Sequence, residues 1–262
     1  FFMRLRVVVI DELHVLRGVF GTHVAHILRR LRRICRHYGS DPVFVFTSAT
    51  IGQPERLASA LCAAPVTAIT DDGSPTGPRR FALLDPPVID EETGVRASAN
   101  SEVAAVSAAL VESGHRTITF CQSRKGTELI AADISRRVSL HLKGSVMSYR
   151  AGYLAEERRA IEEQMSDGTL RGIVATSALE LGVDIGDLDA CVINGFPGTI
   201  ASMWQQAGRA GRRNAPSVSV LVAGDDQLDR YLMRHPHEVF ERQPEPSVIN
   251  TANPHIRGPH LA

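Results

Sequence analysis

Short apolar runs alternate along this chain with amphipathic stretches, which predicts strands that alternate with helices. Val7–Ile10 consists of four β-branched apolar residues and is typical of a strand buried on both faces of a parallel sheet. In residues 22–38, apolar side chains recur at helical spacing, and arginines fill the opposite face, where solvent exposure is favoured over phosphate contact. The pattern continues with a strand at Val43–Phe46, a helix at Pro54–Cys62 and a short strand at 65–69.

A second alternating block begins at about residue 101. It predicts strands at 116–121, 145–149, 171–176, 190–193 and 218–222, with helices between them and one more at 226–234. We therefore expect an α/β protein with mostly parallel sheets and right-handed crossovers. Residues 71–80 are polar and rich in Gly and Pro, which favours a linker. The predicted division is 1–70, a linker at 71–100, a second domain at 101–225 and a further region at 226–262.

Composition narrows the class of protein. The chain is 44% hydrophobic and 22% charged with net charge +0, so any nucleic-acid site must be a local patch. Its four cysteines form no C-x-x-C pair and lie in apolar stretches, which indicates core residues in a reducing compartment. No signal peptide and no run of about 18 apolar residues is present, so we expect a cytoplasmic protein without membrane contact.

Two carboxylates, Asp11 and Glu12, directly follow the first strand. Ligands bind at the carboxyl ends of parallel strands, where one acid can hold Mg²⁺ and the next can activate water. The alternative is an ordinary strand exit with solvated acids. Ser48 and Thr50 follow the second strand and can hydrogen-bond Asp11 or a facing domain, or can simply cap the next turn.

Polar residues also follow the strands of the second block. Three strand ends carry hydrogen-bond donors or glycine, namely Ser123 with Arg124, Arg150 with Gly152, and Thr176 with Ser177. Together they predict a phosphate track with little sequence preference, although each alone is equally consistent with a solvated turn.

Taken in order, these elements resemble the motifs of superfamily 2 helicases. The matching stretches are Asp11-Glu12-Leu13-His14, Ser48-Ala49-Thr50, Phe120 to Arg124, Thr176 to Asp184, and Gln205 to Arg212. Ile10 to His14 with Gly18 and Gly21 is similar to the RecQ-like branch that has a C-terminal four-cysteine zinc domain and includes the bacterial mitomycin-repair helicases.

The resemblance implies tandem RecA-like domains, the first only partly present, that hydrolyse ATP with Mg²⁺ and move along DNA during repair. It implies catalytic roles for Asp11, Glu12, Arg209 and Arg212, nucleotide contacts for His14, Gly182, Asp184, Gln205 and Gly208, and coupling by Ser48 and Thr50. It also implies nucleic-acid contact at Thr176. The expected partner is single-stranded or forked DNA, and RNA is not excluded.

One expected motif is missing from the sequence. There is no Gly-x-x-x-x-Gly-Lys-[Ser/Thr] P-loop, which in this family cradles the phosphates and lies upstream of the acid pair. We therefore expect a fragment that does not hydrolyse ATP by itself and that lacks the first half of its first domain. The alternatives are a non-catalytic nucleic-acid-binding module, an RNA helicase and a duplex translocase.

Overall fold

A computed structural model describes the chain at residues 1–71, 73, 77–149, 153–179, 188–211 and 215–261. It contains two units, Phe1–Gly73 with Gln243–Ala262, and Ser74–Arg242. The predicted α/β class with a parallel sheet is confirmed.

The first unit is built on two parallel strands. Its elements are β1 (Val7–Ile10), α1 (Gly18–His37), β2 (Val43–Phe46), α2 (Pro54–Cys62) and, from the end of the chain, α9 (Pro254–Leu261). β1 and β2 pair in register from Val7 opposite Val43 to Ile10 opposite Phe46. Because of this register, the residues that follow the two strands lie side by side.

β1 is not buried on both faces as the sequence predicted. Val7 is 51% exposed and Val9 is 62% exposed, whereas Ile10 packs on the core of the first unit. Among the described residues β1 pairs only with β2, and its second face is left open. The apolar run therefore indicated the strand correctly but not the burial of both its faces.

Helix α1 begins at Gly18, four residues before the predicted start at Thr22. The Thr22 hydroxyl does not cap the helix but donates to the carbonyl oxygen of Gly18 at 2.7 Å and accepts from the amide of Asn250 at 3.1 Å. The Gly18 amide in turn donates to the Val248 carbonyl oxygen at 2.8 Å. The segment after residue 243 therefore packs on the first unit.

Residues 65–69 are not the strand that the sequence predicted. The amide of Val66 donates to the Ser59 hydroxyl at 3.0 Å, and the Val66 side chain packs on the core of the first unit. A local hydrogen bond thus takes the place of strand pairing at this position.

The second unit contains a six-stranded parallel sheet in the order β3-β10-β9-β6-β8-β7. The strands are β3 (Arg79–Leu84), β6 (Thr117–Phe120), β7 (Val146–Tyr149), β8 (Gly172–Ala175), β9 (Ala190–Asn194) and β10 (Ser217–Val222), and a hairpin adds β4 (Val88–Asp90) and β5 (Val95–Arg96). The helices are α3 (Ala99–Glu112), α4 (Arg124–Arg137), α5 (Ala155–Asp167), α6 (Ile200–Ala207), α7 (Gln227–Arg234) and α8 (Pro236–Phe240).

Strand β3 falls inside the stretch that the sequence predicted as a linker. It pairs with β10 from Arg79 opposite Ser217 to Leu84 opposite Val222, and Phe81 and Leu83 pack on the sheet core. The sequence also suggested a strand at Phe81–Leu84, and Leu84 packs on the core of the other sheet face, so the later part of the assigned linker contributes an edge strand.

The central strands β6, β8 and β9 are almost completely buried, because helices cover both faces of the sheet. One core lies under α5 and α6 and includes Ile173, Met203 and Leu221. The other lies under α3 and α4 and includes Val103 and Ile130. The four cysteines are free and buried, as predicted, and burial raises the pKa of the Cys121 thiol to about 12.

Candidate functional site

The parallel pairing of β1 and β2 brings their carboxyl-terminal residues into contact. The Thr47 hydroxyl donates a short hydrogen bond to Asp11 Oδ1, and the Glu12 amide donates to the same oxygen at 2.8 Å. Two backbone hydrogen bonds hold the ends of β1 and β2 together. The Leu13 amide donates to the Thr47 carbonyl oxygen at 2.9 Å, and the Thr47 amide donates to the Ile10 carbonyl oxygen at 3.0 Å. The acid pair is therefore held by the strand that follows it in the sheet.

Asp11 is suited to binding a cation. The Thr47 hydroxyl, followed by the Glu12 amide, holds the pKa of its exposed carboxyl below the ordinary value, so the group is ionised at neutral pH. Both hydrogen bonds end on Oδ1, which leaves Oδ2 open to water. Within the described ranges no three His, Cys, Asp or Glu side chains are grouped to hold a metal. Mg²⁺ would take Asp11 together with water and substrate phosphates, which is its usual ligand set.

Glu12 and Ser48 both contact the ring of His14. The Glu12 carboxylate Oε2 lies 3.5 Å from His14 Nδ1, and the Ser48 hydroxyl lies 3.4 Å from the same nitrogen. His14 is buried, while Glu12 is 39% exposed and has left-handed backbone with φ of 54°. The two carboxylates have different partners, because Asp11 bonds to Thr47 whereas Glu12 contacts His14.

Neither Ser48 nor Thr50 hydrogen-bonds Asp11, although the sequence allowed for that contact. Ser48 contacts His14, and Thr50 is exposed in the bend after β2 without a side-chain hydrogen bond to any described residue. The sequence reasoning missed Thr47, whose hydroxyl makes the contact with Asp11. The signal that could have found it is its position, because the first residue after β2 lies opposite the first residue after β1.

In the second unit, residues 205–211 form the end of α6 and the turn that follows it, which we call the glycine-arginine turn. Gln205 and Arg209 are half-buried, and Gly208 ends the helix with its amide bonded to the Trp204 carbonyl oxygen at 2.8 Å. Gly211 has φ of +92°, and a Cβ there would lie 2.4 Å from Ser217 Oγ and 2.9 Å from Ser217 Cβ. The glycines therefore have structural roles. Arg212 lies outside the described residues, as do Gly182 and Asp184.

The predicted phosphate track lies at one edge of the sheet. β8 is flanked by β6 and β7, so the carboxyl ends of these three strands are neighbours. The Ser123 hydroxyl caps α4 by accepting from the Gly126 amide at 3.0 Å, Arg124 is exposed in the first turn, and Thr176 is half-buried directly after β8. Arg150 and Gly152 lie outside the described residues. A helix N-terminus and an exposed guanidinium at a strand end suit phosphate oxygens.

A polar cleft of about 400 Å³ opens at the same edge of the sheet. It is lined by Asn100, Gln122, Ser123, Asn194 and Asp226, among others. The amide of Asn194 donates to the Asn100 side-chain oxygen at 2.7 Å, and Gln122 donates to the Phe196 carbonyl oxygen at 3.3 Å. The track thus adjoins side-chain amides of Asn100, Gln122 and Asn194 and the carboxylate of Asp226.

No helix among the described residues is both long enough and apolar enough to span a membrane.

Comparison with known proteins adds an independent finding. Residues 101–214 match the family model described as helicase conserved C-terminal domain. The chain is 46% identical over 99% of its length to the uncharacterised ATP-dependent helicase YprA of Bacillus subtilis, of which it covers 35%. It is 39% identical over 92% of its length to the ATP-dependent helicase HRQ1 of Saccharomyces cerevisiae, of which it covers 23%.

Solved structures agree with the sequence relatives. The DUF1998 helicase MrfA bound to DNA is 46% identical, covers 99% of the chain and superposes with a TM-score of 0.95. The form of MrfA bound to DNA and AMPPNP gives a TM-score of 0.93. The chain spans 35% and 36% of those two structures, so it corresponds to about a third of such a protein.

Proposed function

The chain belongs to the superfamily 2 helicases, with the conserved C-terminal helicase domain at residues 101–214, and from this premise we propose that it is part of an ATP-dependent DNA helicase. One observation carries the proposal. Asp11, Glu12, His14, Thr47 and Ser48 form a single hydrogen-bonded constellation at the ends of two parallel strands. That arrangement places an ionised carboxylate next in sequence to a second carboxylate with a different partner, which suits metal-assisted phosphoryl transfer to water.

Each acid has a separate task in this proposal. Asp11, with one carboxylate oxygen bonded to Thr47 and the other open, holds Mg²⁺ through water. Glu12 orients the attacking water and accepts its proton. The ring of His14 contacts the Glu12 carboxylate at Oε2. A bound Mg²⁺ neutralises charge on the phosphates during hydrolysis. We assign to His14, Ser48 and Thr50 the coupling between ATP hydrolysis at this site and movement of the domains.

The glycine-arginine turn has its own proposed role toward the nucleotide. Arg209 and Arg212 neutralise the charge that develops on the transferred phosphoryl group, as arginine fingers do in other nucleotide hydrolases. Gln205, Gly208, Gly182 and Asp184 contact the nucleotide. We assign residues 1–70 to the first RecA-like domain, 101–225 to the second and 226–262 to the start of an accessory region, although 226–242 fold with the second unit and 243–262 with the first.

The proposed nucleic-acid partner is single-stranded or forked DNA. Ser123, Arg124, Arg150, Gly152 and Thr176 contact its phosphates, and such contacts bind without reading sequence. Support comes from MrfA, whose structures contain DNA and, in one case, AMPPNP. The P-loop and a C-terminal zinc domain belong to the remainder of the protein, which we place in the cytoplasm and in DNA repair.

The test uses the full-length protein, because the printed sequence contains no P-loop. ATP hydrolysis is measured with and without single-stranded DNA for the natural protein and for Glu12→Gln and Asp11→Asn. Each variant should lose at least a hundredfold in turnover, in line with the magnitude of general base catalysis. Glu12→Gln should still bind a non-hydrolysable ATP analogue, because the amide keeps the shape of the side chain.

The alternatives give different results. DNA binding without any ATP hydrolysis by the natural full-length protein would indicate a non-catalytic binding module. Displacement of RNA but not DNA strands would indicate an RNA helicase, and hydrolysis driven by duplex without strand separation would indicate a translocase. A Glu12→Gln variant with undiminished turnover would contradict the assignment of the water-activating residue.

A further inference from the structure

A second basic site lies on the first unit, and none of the motif residues described above lines it. Helix α9 packs beside α1 and turns the arginine face of α1 into one wall of a cleft of about 390 Å³. We call it the arginine cleft and define it by Arg30, Arg33, Arg257, His26 and His260. The sequence favoured a solvated helix face, because it gave no sign that residues 254–261 return to α1.

Two other arginines of α1 are already committed to holding the fold. Arg29 donates to the Ala60 carbonyl oxygen at 2.7 Å, and Arg32 donates to the Ala63 carbonyl oxygen at 2.6 Å. These carbonyls lie at the end of α2, where a cation is favourable. Asp41 pairs with Arg32 at 3.2 Å, so its charge is also used.

The arginines that define the cleft are in a different situation. Arg30, Arg33 and Arg257 are exposed, and their side chains form no hydrogen bond or ion pair with any described residue. Among the described residues no carboxylate lines the cleft. His26, Arg30 and Arg33 follow the i, i+4, i+7 spacing of one helical stripe, and Arg257 faces them from α9. Three guanidiniums without counter-charge around one concavity indicate an anionic ligand.

The histidines of the cleft show the sign of the local field. His260 Nε2 lies 2.9 Å from His23 Nδ1, and the rings of His260 and His26 stack with centroids 5.0 Å apart. Burial, then His260, Arg29, Arg257 and His23, lowers the pKa of His26. Burial, then Arg30 and His23, lowers the pKa of His260. The positive charge of the neighbouring arginines therefore disfavours protonation of His26 and His260, which indicates a positive potential in the cleft.

We propose that the arginine cleft binds the phosphodiester backbone of the nucleic acid on which the enzyme acts, as an anchoring site separate from the phosphate track of the second unit. The proposal rests on the proposed function for the identity of the ligand. Phosphodiesters match the observations because each guanidinium can hold one phosphate through paired N–H donors, and the three arginines that define the cleft would contact phosphates without reading bases. Such contact would add affinity without sequence preference.

The first experiment locates the ligand on the natural full-length protein. Phenylglyoxal modifies accessible arginines, and peptide mass spectrometry reports the extent at each position. Single-stranded DNA should protect Arg30, Arg33 and Arg257 at least fivefold, whereas exposed Arg4, Arg6 and Arg56 should stay reactive. Equal protection by polyglutamate of the same charge would assign an acidic protein segment instead. Equal protection by inorganic phosphate at matched phosphate concentration would assign a free anion, and no protection would also overturn the proposal.

The second experiment measures affinity by fluorescence anisotropy at several salt concentrations. The variant Arg30→Gln/Arg33→Gln/Arg257→Gln should bind single-stranded DNA about tenfold more weakly, with the slope of log K against log salt reduced by about 2, because each lost phosphate contact removes about 0.7. The matched control Arg4→Gln/Arg6→Gln/Arg56→Gln removes the same charge outside the cleft and should change the slope by less than half as much. Equal slopes for the two variants would contradict the proposal.

The outcomes for this site and for the proposed function can be separated. Natural protein that shows arginine protection by DNA but no ATP hydrolysis would overturn the helicase and leave the cleft in place. Natural protein that hydrolyses ATP in the presence of DNA, but whose three cleft arginines are not protected by DNA, would overturn the arginine cleft and leave the helicase proposal in place.

Discussion

Gly211 offers a sharp test of the geometry at the glycine-arginine turn. Replacing it with alanine introduces two separate penalties. Its φ of +92° lies in the left-handed region, which costs an ordinary residue about 1–2 kcal/mol. The new Cβ would also lie 2.9 Å from Ser217 Cβ, an atom that no side-chain rotation can move, and overpacking of this kind costs about 1–3 kcal/mol. We expect Gly211→Ala to lower the free energy of unfolding by about 2–5 kcal/mol, the sum of the two ranges.

Gly144 provides a matched control in the same unit. Its φ of +95° is nearly the same, and a Cβ there meets nothing within 4 Å. Gly144→Ala should therefore show only the backbone penalty of about 1–2 kcal/mol. The difference between the two variants isolates the contact with Ser217.

Urea unfolding of the chain measures both variants. Trp204 is the chain's single tryptophan and packs against Phe81 and Phe240 in the second unit, so its fluorescence reports on that unit. With a slope of about 2 kcal/mol per molar urea, the Gly211 midpoint should fall below that of Gly144 by about 0.5–1.5 M. Equal midpoints would refute the argument that Ser217 excludes a side chain at this position.

Three further predictions concern the acid site, the isolated chain and pH. In the full-length protein, Thr47→Val should lower ATP turnover about tenfold, because Asp11 loses a charge-assisted hydrogen bond. Thr47→Ser keeps the hydroxyl and should keep the turnover near that of the natural protein. Undiminished turnover in Thr47→Val would exclude a positioning role for Thr47. Residues 1–262 alone should hydrolyse ATP negligibly, and DNA-stimulated turnover above about 1 s⁻¹ in a phosphate-release assay would contradict this. Because the pKa values of His26 and His260 are lowered in the folded chain, the unfolded chain binds more protons near pH 6, so the free energy of unfolding should fall as pH drops from 7.5 through 6.5. Urea titrations at several pH values measure how the free energy of unfolding changes with pH. His26→Gln should reduce this change, and an unchanged pH dependence would contradict the lowered pKa of His26.

The sequence predicted most elements because local patterns and motif order carry that information. Val43–Phe46 and Pro54–Cys62 are observed with the predicted bounds. These features depend on residues close together in sequence, where spacing and capping chemistry are decisive.

Features that depend on distant segments were missed. The pairing of β3 with β10 and the return of residues 243–261 to α1 both follow from contacts between segments that are distant in sequence. Thr47 and His260 became visible as site residues only when strand register and the end of the chain placed them beside Asp11 and His26. The residue types gave the chemistry of the candidate site, but only the fold could give its neighbours.

The central claim is that Asp11 and Glu12 belong to an ATP-driven machine that separates DNA strands. Strand displacement by the full-length protein on a forked DNA, with one strand fluorescently labelled, tests this claim most directly. The account predicts displacement with ATP and Mg²⁺, none with a non-hydrolysable analogue, and loss of displacement in Glu12→Gln while DNA binding remains. Displacement that continues in Glu12→Gln, or that needs no ATP, would contradict it.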